Sequence, residues 1–338
     1  MQGAAIRTLE NPDPGALPLA SLLEEGEPVV LKGVAQAWGL VHAGRSSLHE
    51  AMAYLRRFDA GAPIQYSFGA PEIGGRPFYN DEFTRLNFEV RKGALADVLD
   101  GIADHLHDAT PPTYYVASLL VDRALPGFTQ ANDLSLSAYG IEAPASIWIG
   151  NRVVASCHFD APDNVACCLV GRRAFTLFPP EQIENLYPGP FDPTPGGQVV
   201  SVVDFDAPDF ERHPRFRTAL AAARTALLGP GDAIFIPSMW WHHVRSLEPF
   251  NVLLNYWWRR SPAFLSSPLP ALQHALWTIR DLPAREKEAW ARLFEYYVFG
   301  AGERAGEHLP AQARDLLGPI DETQARRIRA MLLGRLNR

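Results

Sequence analysis

The chain has 338 residues, of which 47% are hydrophobic and 20% charged, a balance typical of a folded globular protein and not of a disordered one. Its 29 prolines and 26 glycines predict many short elements joined by turns. The net charge of −7 argues against a broad surface for nucleic-acid phosphates. The sequence shows neither a signal-peptide pattern nor a run of about 18 apolar residues, so we expect neither secretion nor membrane spanning.

The chain contains three cysteines, Cys157, Cys167 and Cys168. They cannot form a disulfide framework, because two of them are neighbours in sequence and cannot be bridged without strain. Their number and spacing therefore predict a reducing, cytoplasmic compartment.

The first third of the chain contains sequence patterns of both helices and strands. Between Leu17 and Gly33 the pattern predicts a short amphipathic helix, a turn and an apolar strand. Apolar residues spaced by three and four predict helices over 46–58 and 94–105, the first with Ser46 or Ser47 as N-cap.

Between Tyr114 and Trp258 the pattern becomes that of a β-rich core. Short apolar or alternating runs recur there between turn signals, namely TYYVASLLV, SIWIG, VACCLVG, AFTLFPP, DAIFIPS and NVLLNYWW. A segment rich in proline, glycine and aspartate, Pro188 to Arg217, interrupts these runs and is predicted to be a surface loop.

Helical periodicity returns after Pro262, and the last helix begins with acidic and ends with basic residues, as the helix dipole prefers. We therefore divide the chain into an N-terminal α/β extension (1–110), a β core (111–260) and a C-terminal helical unit (261–338). The helical unit carries an apolar face that either a second subunit or the chain's own β core could cover. The face comprises Leu316, Leu317, Ile320, Ile328, Met331, Leu332 and Leu336.

Two sequence segments supply candidate metal ligands. His158 and Asp160 are two residues apart at the end of a predicted strand, so their side chains point to the same face. His242 and His243 lie at the end of a second strand, the one that begins after the turn at Gly229. Two histidines and one carboxylate on one face of a metal form the facial triad that binds Fe(II) and leaves positions open for other ligands.

Several motifs in a fixed order carry a family resemblance. They are HFD, an asparagine six residues after the first histidine, GRRAFTLFPPEQ, LYP, PGDAIFIPSMWWHHV and NYWW. From about Pro28 to Trp258 the chain resembles the JmjC-type, cupin-like 2-oxoglutarate-dependent oxygenases. Within that family it is most similar to the branch of the asparaginyl hydroxylase called factor inhibiting hypoxia-inducible factor.

This resemblance implies a fold and a set of iron ligands. The fold is a double-stranded β-helix, a relative of the jelly roll, with flanking helices and with the metal between two sheets. The implied Fe(II) ligands are His158, Asp160 and His242, whereas the side chain of His243 should point away from the metal. A closed four-ligand site would instead be structural, and thiolate ligation is disfavoured because free cysteines usually pack as small apolar residues.

The resemblance also implies a site for the cosubstrate 2-oxoglutarate. A buried arginine can hold its distal carboxylate through two parallel hydrogen bonds, and the basic pair after Gly171 supplies one. We choose Arg173, with Arg172 as the alternative, where the nearest relatives carry lysine.

Further residues match family positions around the cosubstrate. Tyr115, Asn164, Asn255 and Trp257 correspond to residues that contact the cosubstrate or form the pocket wall, with Tyr114 as the alternative to Tyr115. Where the relatives have a threonine three residues before the first ligand, this chain has an alanine at position 155, so that hydroxyl contact is lost or replaced.

The implied activity is hydroxylation of a C–H bond with O2 and 2-oxoglutarate, releasing succinate and CO2. The alternatives are a non-catalytic JmjC-like module that binds a peptide or partner, and a cupin that uses another divalent metal. The substrate is expected to be a protein, a peptide or a small molecule, with nucleic acid disfavoured and no membrane partner. Two loops, 65–81 and 186–217, are expected to frame the entrance, and the C-terminal helices are expected to form a homodimer.

Overall fold

A computed structural model describes residues 3–300 and 302–337. The chain divides into two units, residues 1–258 and residues 259–338. The finer division of the first unit at residue 110 stays a prediction.

Fourteen strands are found in the described residues, all of them in the first unit. They are β1 (Ala4–Ala5), β2 (Arg7–Glu10), β3 (Val29–Lys32), β4 (Ile64–Gly69), β5 (Glu89–Gly93), β6 (Thr113–Leu120), β7 (Ala145–Gly150), β8 (Val154–Phe159), β9 (Asp163–Val170), β10 (Arg173–Phe178), β11 (Arg224–Leu228), β12 (Ala233–Ile236), β13 (Trp241–Ser246) and β14 (Asn251–Trp258).

The α-helices of the first unit are α1 (Leu19–Glu25), α2 (Gly39–Ser46), α3 (Leu48–Arg56), α4 (Leu95–Asp104), α5 (Val121–Ala124) and α6 (Phe216–Ala221). The second unit contains α7 (Leu269–Thr278), α8 (Ala284–Phe294) and α9 (Glu322–Leu336). In the described part of the chain, each helix is too short or too polar to traverse a lipid bilayer.

The strands form two sheets. The smaller sheet has the order β1-β11-β10-β13-β8, and the larger has the order β2-β3-β12-β9-β14-β7-β6-β4-β5. Side chains from β10, β11 and β13 of the smaller sheet pack against side chains from β3, β9, β12 and β14 of the larger sheet in one apolar cluster. The other face of the larger sheet packs against helices α1 to α5. The predicted jelly-roll core with flanking helices is confirmed.

Strand β14 shows how the sequence produces this arrangement. Because side chains alternate along a strand, Val252, Leu254 and Tyr256 join the cluster beneath the helices, while Leu253 joins the cluster between the sheets. Both faces of this central strand are buried, and most of its residues are therefore apolar. Its two ends are those of the predicted strand.

The predicted helices over 46–58 and 94–105 correspond to α3 and α4, each slightly shorter than predicted. Ser47 caps α3, since its side chain accepts a hydrogen bond from the amide of Glu50 at 3.1 Å. The sequence pattern did not predict α2 or β11. The histidine pair at 242 and 243 does not end strand β12 as predicted, because a turn follows Ile236 and a separate strand, β13, carries both residues.

Gly171 occupies the tight turn between β9 and β10. Its φ is +73°, and a Cβ atom there would lie 2.2 Å from Oδ1 of Asn251. Glycine is therefore required both for the backbone conformation and for the close approach, and the turn fixes where β10 begins, at Arg173.

Candidate metal centre

His158 and His242 lie side by side in the smaller sheet. They are paired across β8 and β13, and their ring centroids are 4.3 Å apart. Strand β8 ends at Phe159, and Asp160 is the next residue. Its Oδ2 lies 3.6 Å from Nε2 of His242. One potential ligand atom from each of the three residues lies within 4.8 Å of the other two. The predicted triad therefore converges.

Hydrogen bonds fix the tautomer of both imidazoles. Nδ1 of His158 lies 2.8 Å from the carbonyl oxygen of Ser156, and Nδ1 of His242 lies 3.1 Å from that of Trp240. Because a carbonyl only accepts, each Nδ1 carries the proton and each Nε2 keeps its lone pair for a metal. Burial, reinforced by the neighbouring His158, lowers the pKa of His242 to about 4, so this imidazole is neutral at pH 7.

The carboxylate of Asp160 is buried and held at both oxygens. Nε1 of Trp257 donates to Oδ2 at 3.1 Å, and Nε2 of Gln198 donates to Oδ1 at 2.9 Å. The amide of Met239 donates to the main-chain oxygen of Asp160 at 2.8 Å. Such outer contacts orient a metal-ligating carboxylate. Two imidazoles whose Nδ1 atoms face carbonyl oxygens and one oriented carboxylate suit Fe(II) or a similar divalent ion.

An inner cavity between the two sheets contains Arg173 together with all three triad residues. Arg173 is buried, and its Nε has no hydrogen-bond partner among residues 3–300 and 302–337. Burial lowers the pKa of Arg173, yet no carboxylate in the described part of the chain lies at ion-pair distance from it. Arg172, in contrast, is exposed and its Nε lies 2.6 Å from Oε1 of Glu248. Of the two arginines considered, the structure places Arg173 in the cavity.

A row of polar side chains forms one wall of the inner cavity. Nε1 of Trp148 donates to Oδ1 of Asn255 at 2.7 Å, and Nδ2 of Asn255 donates to Oδ1 of Asn164 at 3.1 Å. These three residues come from the neighbouring strands β7, β14 and β9. Asn164 thereby keeps its own amide N–H groups available to a ligand. Trp148 was not predicted as a site residue, although strand alternation in SIWIG could have marked it.

Tyr115 and Trp257 also line the inner cavity. Burial raises the pKa of Tyr115 to about 12, and the charge of Arg173 opposes the shift, so the phenol stays protonated and can donate a hydrogen bond. Tyr114 points to the opposite face of β6, where its ring packs on Phe68 with centroids 5.2 Å apart. Of the predicted pair, Tyr115 is therefore the tyrosine that lines the inner cavity.

Most of the remaining residues considered from sequence do not line the inner cavity. His243 stacks on Phe205 with ring centroids 4.6 Å apart. Ala155 lines the inner cavity, whereas the hydroxyl of the adjacent Ser156 accepts a hydrogen bond from Nε of Arg76 at 3.3 Å. Cys157, Cys167 and Cys168 are free, buried thiols. Burial raises the pKa of each of them, so they are protonated and poor metal ligands.

An outer cavity of about 320 Å³ adjoins the inner one and shares the side chains of His158 and Asp160 with it. Both predicted entrance loops contribute to its lining, the first through Ser67 and Pro77 and the second through residues 195–200. The segment Pro188 to Arg217 is therefore more than a surface loop, because it also places Gln198 against Asp160 and buries Phe205 in an apolar cluster.

The fold and the site together define a double-stranded β-helix protein with a metal-binding group of two histidines and one aspartate. Residues 15–264 match the model of the family described as the cupin-like domain. The chain belongs to this family.

Three relatives show what the chain is similar to. The chicken tRNA wybutosine-synthesizing protein 5 is 33% identical over 40% of this chain and 44% of its own length. The human HSPB1-associated protein 1 is 37% identical over 33% of this chain and 23% of its own length. The JmjC domain-containing protein F of Dictyostelium discoideum is 35% identical over 33% of this chain and 26% of its own length. The matches thus span less than half of each of these relatives.

We expect His158→Ala and His242→Ala to abolish stoichiometric binding of Co(II), an oxygen-stable substitute for Fe(II). Each change removes one of three ligands and leaves a two-ligand site. His105→Ala is the control, since this half-exposed histidine contacts Asp108 and not the triad. Calorimetric titration of the metal-free proteins measures the effect. If all three variants bound Co(II) as tightly as the wild-type protein does, the metal would have to bind elsewhere.

Proposed function

We propose that the protein is an Fe(II)- and 2-oxoglutarate-dependent dioxygenase that hydroxylates a C–H bond of a protein side chain or a small molecule. The observation that carries this proposal is a buried arginine that has no anionic partner among the described residues and that lies in the same cavity as the metal triad. A buried charge is costly unless it is paired, and a dicarboxylic cosubstrate that also reaches the metal would supply the missing anion.

The residues present fit both the metal and the cosubstrate. When bound, Fe(II) and 2-oxoglutarate supply the oxidising chemistry, in which O2 is consumed, the keto acid becomes succinate and CO2, and one oxygen atom is inserted into the substrate. His158, Asp160 and His242 would hold the ion and leave its remaining positions open. Arg173 would hold the distal carboxylate through its guanidinium fork.

The other cavity residues would bind the cosubstrate and exclude water from it. Tyr115 and Asn164 offer N–H or O–H donors for oxygen atoms of the keto acid, and Asn255 fixes the orientation of Asn164. The rings of Trp148 and Trp257 pack edge to face with centroids 5.7 Å apart. This aromatic wall would keep bulk water from the reacting atoms.

We infer that the substrate enters through the outer cavity, because this cavity meets the inner one at the triad. A protein asparaginyl side chain is one candidate, supported by the order of the sequence motifs. The name of the chicken relative raises a tRNA nucleoside as the second candidate. We favour a peptide or a small molecule, because the net charge is −7 and the cavity lining includes neither lysine nor arginine, the residues that bind RNA phosphates.

We also propose that the protein works in the cytoplasm. Its three buried thiols are free, and free thiols together with a ferrous site suit a reducing compartment.

We expect Arg173→Gln to weaken 2-oxoglutarate binding by at least about 30-fold, because losing one partner of a buried charge pair costs about 2 kcal/mol or more. Arg172→Gln is the matched control and should leave the affinity unchanged, since Arg172 pairs with Glu248 at the surface. Anaerobic calorimetry on the Mn(II)-loaded proteins measures both affinities. If the metal-loaded wild-type protein does not bind 2-oxoglutarate, the non-catalytic module or a cupin using another metal becomes the better interpretation.

We propose further that the second unit forms a homodimer. Its helix α9 exposes Leu332, Leu333 and Leu336 by 47%, 56% and 50%. These side chains line an apolar groove of about 300 Å³ with Phe264 and Ile320. Contiguous apolar surface of this kind marks an interface, and a second copy of the chain would cover it through the same residues on both protomers.

We expect the double variant Leu332→Asp and Leu336→Asp to be monomeric, because a dimer would bury both new charges without partners. Ala330→Asp adds the same charge at an exposed position of α9 that does not line the groove, and should stay dimeric. Sedimentation velocity at micromolar concentration distinguishes these states. A monomeric wild-type protein would contradict the proposal.

A further inference from the structure

We propose that Gln198 is a positioning residue that holds Asp160 as a one-oxygen metal ligand and connects the entrance loop to the metal. The inference rests on the proposed metal site. It concerns a residue that the sequence motifs do not mark and that lies 38 positions beyond Asp160.

The local structure of the loop fixes the position of Gln198. The turn before it uses Gly197 with a φ of +92°, and the amide of Gly197 donates to Oγ1 of Thr194 at 2.9 Å. Two residues later the loop joins the metal-bearing strand, since Val200 forms an antiparallel bridge with His158. The amide of Ser201 donates to the carbonyl of Cys157 at 2.7 Å. The loop is therefore hydrogen-bonded to the strand that carries the first ligand.

The contacts of Asp160 assign different roles to its two oxygens. Oδ2 is the oxygen 3.6 Å from Nε2 of His242, so it faces the place where a metal would be bound. It also accepts the hydrogen bond from Nε1 of Trp257 at 3.1 Å, which leaves its other lone pair for a metal. Oδ1 accepts the hydrogen bond from Gln198 at 2.9 Å. The donor must be the amide nitrogen of Gln198, because an ionised carboxylate can only accept. Gln198 thus occupies the oxygen that would otherwise be free to chelate the metal.

This arrangement has a chemical consequence for the metal. A carboxylate that binds through both oxygens fills one more coordination position than a carboxylate that binds through one. The facial triad depends on open positions for its other ligands. By holding Oδ1, Gln198 keeps one of these positions available.

Gln198 also lines the outer cavity, and its Oε1 accepts no hydrogen bond from the residues that the structure describes. The same side chain therefore faces the space assigned to substrate and the carboxylate assigned to the metal. Movement of the loop, or a ligand that fills the outer cavity, would alter the hydrogen bond from Gln198 and through it the position of the Asp160 carboxylate. Outer residues of this kind are typically worth 10- to 100-fold in metal affinity.

The test compares Gln198→Leu and the shorter amide variant Gln198→Asn with Gln182→Leu. Gln182 is a half-buried glutamine just before the loop 186–217, and its side chain contacts Asn185. We expect both Gln198 variants to bind Co(II) about 10- to 100-fold more weakly than wild type and to change the visible absorption of bound Co(II), which reports its coordination. Gln182→Leu should match wild type in both measurements.

Thermal unfolding of the metal-free proteins separates positioning from folding. The melting temperature of each Gln198 variant should equal that of wild type, because Gln198 acts on the metal ligand. Wild-type affinity and an unchanged Co(II) spectrum in both Gln198 variants would overturn the inference, and so would a loss of affinity matched by a fall in melting temperature. If the wild-type protein itself binds no Co(II), the proposed metal site fails instead.

Discussion

The pairing of His158 with His242 across two neighbouring strands is the constraint on which the site depends. Because side chains alternate along a strand, a slip of one residue would turn His242 away and bring His243 into its place. The ladder between β8 and β13 shifts its register between His242 and Val244, as at a β-bulge. The pairing places one imidazole against the metal position and leaves the next one stacked on Phe205.

The inner cavity carries a second constraint, a buried positive charge. Arg173 is buried without a carboxylate partner in the described part of the chain, and burying an unpaired cation is unfavourable. Its position is held by the turn at Gly171 and by the pairing of β10 with β11 and β13. A cation held in this way is typical of a ligand site and not of a structural core.

Much of this arrangement could be predicted from the sequence, because it follows from local periodicity. The alternation in β14 and the position of Asp160 two residues after His158 both indicate which side chains share a face. The separation of β12 from β13 was predicted wrongly, because the apolar run of the first strand leads almost directly into the tryptophans of the second. Helix α2 was missed because it lacks a side-chain N-cap, the local signal that marks α3.

Contacts that join distant segments could not be predicted in the same way. Gln198 reaches Asp160 from an irregular loop, where neither strand nor helix periodicity indicates the direction of a side chain. Trp148 lies on a predicted strand, yet only the order of β7 and β14 in the sheet shows that it donates to Asn255. Sequence patterns and the family resemblance therefore named three residues that converge in the fold, and the tertiary structure was needed to show which contacts orient them.

The proposed metal and cosubstrate site can be tested by a crystal structure with Mn(II) and the inert keto-acid analogue N-oxalylglycine. We expect one metal ion bound by Nε2 of His158, Nε2 of His242 and a single oxygen of Asp160. We also expect the distal carboxylate of the analogue to lie on Arg173. A metal ion bound away from these residues, or an analogue whose distal carboxylate does not contact Arg173, would contradict the proposed site.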